Sequence, residues 1–236
     1  MECLYLPIRN LTPSSSIEIE GDEFKHIKAL HLRQNSLVYI SDGCGNIATA
    51  KVLEVDRHTA EVCIEEVKNF AKPEQSFTLA LGILDNRERF EFALEKAVEL
   101  GVSDFVPLIC RYSQTDTIKS ERLTNKAIAA LKQSVHPYLI NIHQPTSIPD
   151  LLRSSATQFY FACEDAVNPL CINSETPTSM ALIVGPEGGF SPEEVELIKS
   201  TPSVFPFNMG DYRLRAETAA IAGISQLRLL LSKPKH

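Results

Sequence analysis

Two stretches of the 236-residue chain combine residue types and spacing that could do chemistry. The first runs Ile-Val-Gly-Pro-Glu-Gly-Gly-Phe-Ser-Pro-Glu-Glu over residues 183–194. An apolar strand is predicted to end at Val184, and Ser191, Pro192 and Glu194 supply an N-cap, a first-turn proline and a capping-box acid for a following helix. Between them, Gly185, Gly188 and Gly189 permit positive φ and carry no Cβ, so a ligand could lie directly against the main chain. The same glycines would also serve a plain turn before a capped helix. No Lys-Ser/Thr follows the last glycine and the spacing is not G-x-G-x-x-G, so phosphate cradling is disfavoured.

The second stretch, residues 208–220, reads Asn-Met-Gly-Asp-Tyr-Arg-Leu-Arg-Ala-Glu-Thr-Ala-Ala. Here too an apolar run, SVFPF, leads into a loop and a helix start, and the loop sets Arg213, Arg215 and Glu217 close together. Two guanidiniums and a carboxylate beside a glycine loop would make a polar pocket in an apolar domain. Alternatively, Arg and Glu form a surface ion pair near a helix start, where the dipole favours Glu217.

The elements that must position these loops follow from periodicity. Residues 1 to about 70 read as short strands broken by turns: Val38 and Ile40 alternate, as do Ala60, Val62 and Ile64, while Asp42-Gly43 and Gly45-Asn46 are turn chemistry. A small β-barrel is expected there, with a linker over Asn69 to Gln75 containing Pro73. From residue 76 onward, apolar runs (SFTLALGIL, FVPLIC, QFYFAC, SMALIV, SVFPF and the weaker LINIH) alternate with helical stretches, as strands buried on both faces should. Glu88 to Leu100 places Phe90, Ala93, Leu94, Ala97 and Val98 on one helical face and stops at Gly101. The pattern predicts an α/β domain on a mainly parallel sheet over residues 75–236.

Composition bounds the partners. No run approaches the roughly 18 apolar residues of a spanning helix, and the start of the chain lacks a secretory pattern, so a cytoplasmic protein is expected with no membrane partner. Six dispersed cysteines and six dispersed histidines give no metal-ligand spacing, and no metal is expected. A net charge of −7 means that any nucleic-acid contact must come from a few clustered Lys and Arg residues.

Taken together, Gly185-Pro186-Glu187-Gly188-Gly189 and the Met209-Gly210 to Ala219 string resemble the RsmE family, the bacterial 16S ribosomal RNA (uracil N3) methyltransferases of the SPOUT superfamily. The likeness extends over nearly the whole chain. His26-Ile27, Leu32-Arg33 and the strand into Asp42-Gly43 resemble that family's PUA-like RNA-binding barrel, assigned to residues 1–70. Glu95-Lys96 through Gly101-Val102 resembles the first helix of its catalytic domain, and Lys132-Gln133-Ser134 its glutamine-serine segment. Three departures stand out. The His26 to Leu32 spacing is one residue long and no Gly-Asp occurs near Asn35-Ser36; Val135-His136 stands where Gly-Arg is usual; Met209 replaces a common Leu. The first two suggest a weaker or shifted RNA grip.

The resemblance implies a trefoil-knotted SPOUT sheet domain, a homodimer, S-adenosylmethionine as cofactor, and 16S rRNA, within the assembled small subunit, as substrate. Cofactor contacts would fall on Val184, Gly185, Pro186, Glu187, Gly188, Gly189, Met209, Gly210, Leu214, Arg215, Ala216 and Thr218. Arg213, Arg215 and Glu217 would be catalytic: Arg215 would stabilise charge developing on the uracil oxygens, with Glu217 or Glu187 orienting it or relaying the proton. RNA would be held by Lys25, Lys28, Arg33 and Lys51 on the barrel and by Arg87 and Arg89 near the catalytic edge. Lys119, Arg122, Lys126 and Lys132 form a second basic set on one predicted helix, unless they are simply a solvated face. A non-catalytic assembly factor with the same fold is the rival reading, which the intact Arg213, Arg215 and Glu217 oppose. A related SPOUT enzyme acting on transfer RNA or on another ribosomal base is a further one.

Overall fold

The structure, a computed structural model, describes residues 1–8, 11–154, 156, 158–171 and 177–231. It divides into two compact units, residues 1–72 with 128–139, and residues 73–127 with 140–236. A single boundary at residues 70–75 is therefore incomplete. Helix α3 (Ser120–Ser134) runs from one unit into the other, and its last turns group with the amino-terminal strands. Helical periodicity reports which face of a helix is apolar, not which partner that face meets.

In the first unit, β1 (Glu2–Tyr5), β2 (Ser16–Ile19), β3 (Leu37–Ser41), β4 (Asn46–Val55) and β5 (Ala60–Asn69) form one sheet in the order β1-β3-β4-β5-β2. Only β1 and β3 run parallel. The alternating Val38, Ile40, Val62 and Ile64 are all fully buried, with Leu4, Ile19 and Ile27. Two register shifts, after Thr49 and after Val52, bend the β4–β5 ladder, as inserted residues do. Helix α1 (Gly21–Ala29), which the strand pattern did not anticipate, buries Phe24 and Ile27 and presents Lys25 and Lys28 outward.

Both departures from the family pattern in this unit fall on left-handed backbone. Asn35 has φ 69° and donates its N–H to the Val52 carbonyl at 2.8 Å, so its short polar side chain stands in where glycine is the ordinary choice. Val135 has φ 51° at the end of α3, where His136 N–H reaches back to Leu131 O at 3.0 Å and Val135 N–H to Lys132 O at 3.3 Å. That is a Schellman ending with a β-branched residue at the position glycine prefers. Within the fold, the Val135-His136 departure puts local backbone strain at the end of α3.

The second unit is a wholly parallel sheet in the order β12-β10-β11-β6-β7-β8, with a short β9 (Thr146–Ser147) also beside β7. Its strands are β6 (Ser76–Gly82), β7 (Asp104–Ile109), β8 (Asn141–Ile142), β10 (Gln158–Ala162), β11 (Ser179–Val184) and β12 (Val204–Phe207). Their interiors are apolar throughout because both faces are covered. On one face, α4 (Ile148–Leu152) and α5 (Pro192–Ser200) bury Ile148, Leu151 and Ile198 against Ala80, Val106, Ala181 and Ile183. On the other, α2 (Arg87–Glu99) and α6 (Ala216–Leu231) pack together; Phe90 meets Phe105 edge-on at 5.2 Å, and a Cβ at Gly223 would lie 2.8 Å from Leu182. Gly223 thereby brings α6 close to the middle strand, which decides where the loop before α6 must lie.

Candidate active site

At the carboxyl end of this sheet, the loops after β10, β11 and β12 close around a cavity of about 540 Å³. Open α/β sheets usually bind ligands at this end. The β11 loop is built as its sequence dictates. Ser191 Oγ accepts the Glu194 N–H at 3.3 Å, Glu194 Oε2 accepts the Ser191 N–H at 2.7 Å, and Pro192 opens α5. The second oxygen of Glu194 accepts the Arg111 N–H at 2.7 Å, which ties the cap to the segment after β7.

The glycines of this loop do two different jobs. Only Gly189 needs positive φ (70°), and a Cβ there would meet nothing within 4 Å. Gly210 in the β12 loop is similar, with φ 127° and open space beside it. Gly185 and Gly188 are needed for packing: a Cβ would lie 2.9 Å from the Phe190 ring in the first case and 2.9 Å from Tyr112 Cβ in the second. Of the three loop glycines, all of which permit positive φ, only Gly189 adopts it. Behind them Gly82, at the end of β6, admits the Pro186 backbone, since a Cβ would come within 2.4 Å of Pro186 N.

The β12 loop is tied to the β10 loop by Asn208. Its Oδ1 accepts the Gly210 N–H at 2.6 Å while its Nδ2 donates to Glu164 O at 2.7 Å. Arg213 Nε lies 3.3 Å from Glu164 Oε1, both side chains largely exposed. Arg215 is exposed, lines the cavity, and accepts the Ala219 N–H on its carbonyl at 2.8 Å as α6 begins.

Of the residues singled out from sequence, Val184 through Gly189, Met209, Gly210, Arg213, Leu214, Arg215 and Ala216 all line the cavity. Thr218 does not; it is exposed, and Ala219, one position further round α6, takes its place. Neither carboxylate partners Arg215. Glu187 instead accepts the N–H groups of Asp85 (3.2 Å) and Asn86 (3.4 Å), fastening the β11 loop to the entry of α2. Glu217 faces Arg89, Oε1 to Nε 3.7 Å, and Arg89 itself lines the cavity. Sequence reasoning missed Phe161 and Ala162 at the end of β10, Cys163 and Glu164 just after it, and Asn208, Tyr212 and Ala219. The signal for Phe161 to Glu164 was available, since QFYFAC was legible as a strand of the same sheet, but its loop carries no glycine pattern.

Most of the expected RNA-contacting cations have partners. Lys25 pairs with Asp22 at 2.7 Å; Lys28 donates to Arg57 O at 3.1 Å and sits 5.0 Å over the Phe24 ring. Arg33 is exposed, and Arg87 lies 3.9 Å from Glu91. Within the second basic set, Arg122 binds Glu91, Lys126 binds Glu95 at 2.8 Å and Lys132 binds Glu23 at 2.7 Å. These three are structural ion pairs rather than a free basic face; Lys119 precedes the helix. Among the described residues, no helix is long and apolar enough to cross a membrane, and no group of His, Cys, Asp and Glu could hold a metal ion.

Residues 71–228 match the model of an RNA methyltransferase domain. The chain is 31% identical to ribosomal RNA small subunit methyltransferase E of Rickettsia conorii, over 93% of this chain and 92% of the relative. Among solved structures, ribosomal RNA small subunit methyltransferase E from Neisseria gonorrhoeae, bound to S-adenosyl methionine, superposes with a TM-score of 0.87 at 26% identity, covering 98% of each chain. A Legionella pneumophila methyltransferase in complex with the same cofactor gives a TM-score of 0.83 at 25% identity over 96% of each chain. With more than half of its length matching the domain model and near-complete alignment to these relatives, the chain belongs to the ribosomal RNA small subunit methyltransferase E family of RNA methyltransferases.

Proposed function

We propose that this protein uses S-adenosylmethionine to methylate N3 of a uridine in 16S ribosomal RNA, acting in the cytoplasm on the small subunit. The observation that carries this reading is the cavity itself: three loops at one sheet edge enclose a space walled by glycine main chain and apolar side chains, with arginines at its rim. Such walls suit a sulfonium nucleoside without phosphates better than a basic cradle would. The fit is supported where Gly189 and Gly210 leave bare peptide groups beside open space.

Bound there, S-adenosylmethionine would supply an electrophilic methyl group. The chain's own part is to place the base and manage its proton. An imide nitrogen attacks poorly until it loses its proton, so charge builds on the flanking carbonyl oxygens as the proton leaves. In this reading Arg215, which lines the cavity, meets that charge. The base must leave its stack to enter the cavity, which suits an irregular or loop site in the RNA.

The same reading takes the first unit as a PUA-like barrel that grips RNA through exposed Lys25, Lys28 and Arg33. It takes the second as a trefoil-knotted SPOUT domain: the chain leaves β12 at the sheet edge and returns as α6 against β11 and β6, past β10. A homodimer is supported by Phe92 of α2 and Leu229 and Leu230 of α6, which stay exposed on helices that pack together.

The test is methyl transfer from labelled S-adenosylmethionine to small subunits of a strain lacking the enzyme, followed by primer extension. A methyl at N3 blocks the pairing edge, so one new stop at a uridine is expected. Label appearing on another atom or another RNA would refute the assignment.

A further inference from the structure

Among the described residues, three arginines line the cavity, and one differs from the others. Arg213 and Arg215 sit exposed on the loop before α6, whereas Arg89 belongs to the first turn of α2 and its side chain is 36% exposed. A cation at a helix N-terminus opposes the helix dipole, so α2 gains nothing from it there. Its surroundings nevertheless hold it from two sides. Its backbone N–H donates to the capping Asn86 Oδ1 at 3.1 Å, and Asn86 in turn donates its N–H to Glu187 of the glycine loop. On the other side Glu217, only 12% exposed, directs Oε1 toward Arg89 Nε at 3.7 Å, while its buried Oε2 has no hydrogen-bond partner among the described residues. A carboxylate withdrawn from water with one oxygen idle is justified physically by the cation it holds.

We propose that Arg89 binds an anionic oxygen of a reactant in this cavity, and that Glu217 is a positioning residue acting through it. The inference rests on the methyltransferase reading. Two reactants carry such an oxygen: the methyl donor has a carboxylate, and the nucleobase acquires negative oxygens as its imide proton leaves. The guanidinium fork suits either, because both present oxygen in a plane.

The test measures S-adenosylmethionine affinity by calorimetry, and kcat and KM on small subunits, for wild type, Arg89→Ala, Arg89→Lys, Glu217→Gln and the double variant Arg89→Ala with Glu217→Gln. We expect Arg89→Ala to lower kcat/KM about a hundredfold, Arg89→Lys to recover part of it, and Glu217→Gln to cost roughly tenfold alone but nothing further when Arg89 is already Ala. If Kd for the donor rises in step, the carboxylate is the partner. If Kd holds while kcat falls and the ascending limb of the pH–rate profile moves to higher pH, because the imide proton is then harder to lose, it is the nucleobase. Two results would overturn the proposal: a rise only in KM for RNA with a shallower salt dependence, which makes Arg89 a phosphate contact, or independent, additive effects of the two single variants. Absence of methyl transfer by wild type would instead remove the methyltransferase reading; Arg89 then stands or falls on the calorimetry.

Discussion

Val135 offers a test in which the sign, not only the size, of a stability change is decided by backbone geometry. At an ordinary right-handed position Ala is more stable than Gly by about 0.5–1 kcal/mol, because glycine loses more freedom on folding. With φ 51°, residue 135 lies in the left-handed region, where a Cβ costs about 1–2 kcal/mol that glycine escapes. The ordering should therefore invert, with Val135→Gly more stable than Val135→Ala by about 0.5–1 kcal/mol, or a Tm higher by roughly 1–4 °C for a chain of this size. Comparing the two variants with each other removes the half-buried valine methyls from the balance, since both lack them. Urea and thermal unfolding, run at one fixed protein concentration to hold any dimerisation constant, supply the measurement. An alanine variant as stable as the glycine variant, or more so, would refute the left-handed ending of α3 and the account of the Val135-His136 departure.

Other expectations follow from the site and the ion pairs. Arg215→Ala should lower the methylation rate about a hundredfold while keeping Kd for S-adenosylmethionine within about threefold; near-normal turnover would remove Arg215 from the mechanism. Gly188→Ala puts a Cβ 2.9 Å from the root of the Tyr112 side chain, so the loop must move, and donor affinity measured by calorimetry should fall at least about tenfold. Thr218→Ala, off the cavity, should leave it unchanged. Hydrogen bonds from Arg122 hold the buried Glu91 carboxyl below the usual carboxylate range. A depressed folded value stabilises above the unfolded pKa of about 4.3 and is lost as pH falls through the folded one. Glu91→Gln should accordingly lower Tm at pH 7 by roughly 4 °C, with the gap narrowing toward pH 3; a constant gap would contradict the charge argument.

Much of the architecture was legible because the relevant signals are local. The β6, β7, β10, β11 and β12 runs read as strands buried on both faces, and the cap at Ser191, Pro192 and Glu194 read directly from three side chains. Helix α1 escaped because its nine residues give only a weak apolar stripe, Phe24 and Ile27, amid a strand-rich stretch. In the site, the loops on either side of α5 and β12 were evident, but the third wall after β10 was not, since Cys163 and Glu164 become cavity residues only through the order β12-β10-β11.

By itself, then, the amino-acid order determined what short-range forces control: strand and helix periods, caps, turn glycines, and the concentration of guanidiniums and carboxylates beside them. It could not say which carboxylate faces which arginine, because Glu217 meets Arg89 and Glu187 meets Asp85 and Asn86 across about a hundred residues of chain. Those pairings exist only once a parallel sheet sets distant loops side by side, and α6 settles on β11 at Gly223. Tertiary structure also decided that Arg122, Lys126 and Lys132 are committed to Glu91, Glu95 and Glu23, since a basic helix face is free or neutralised according to what packs against it.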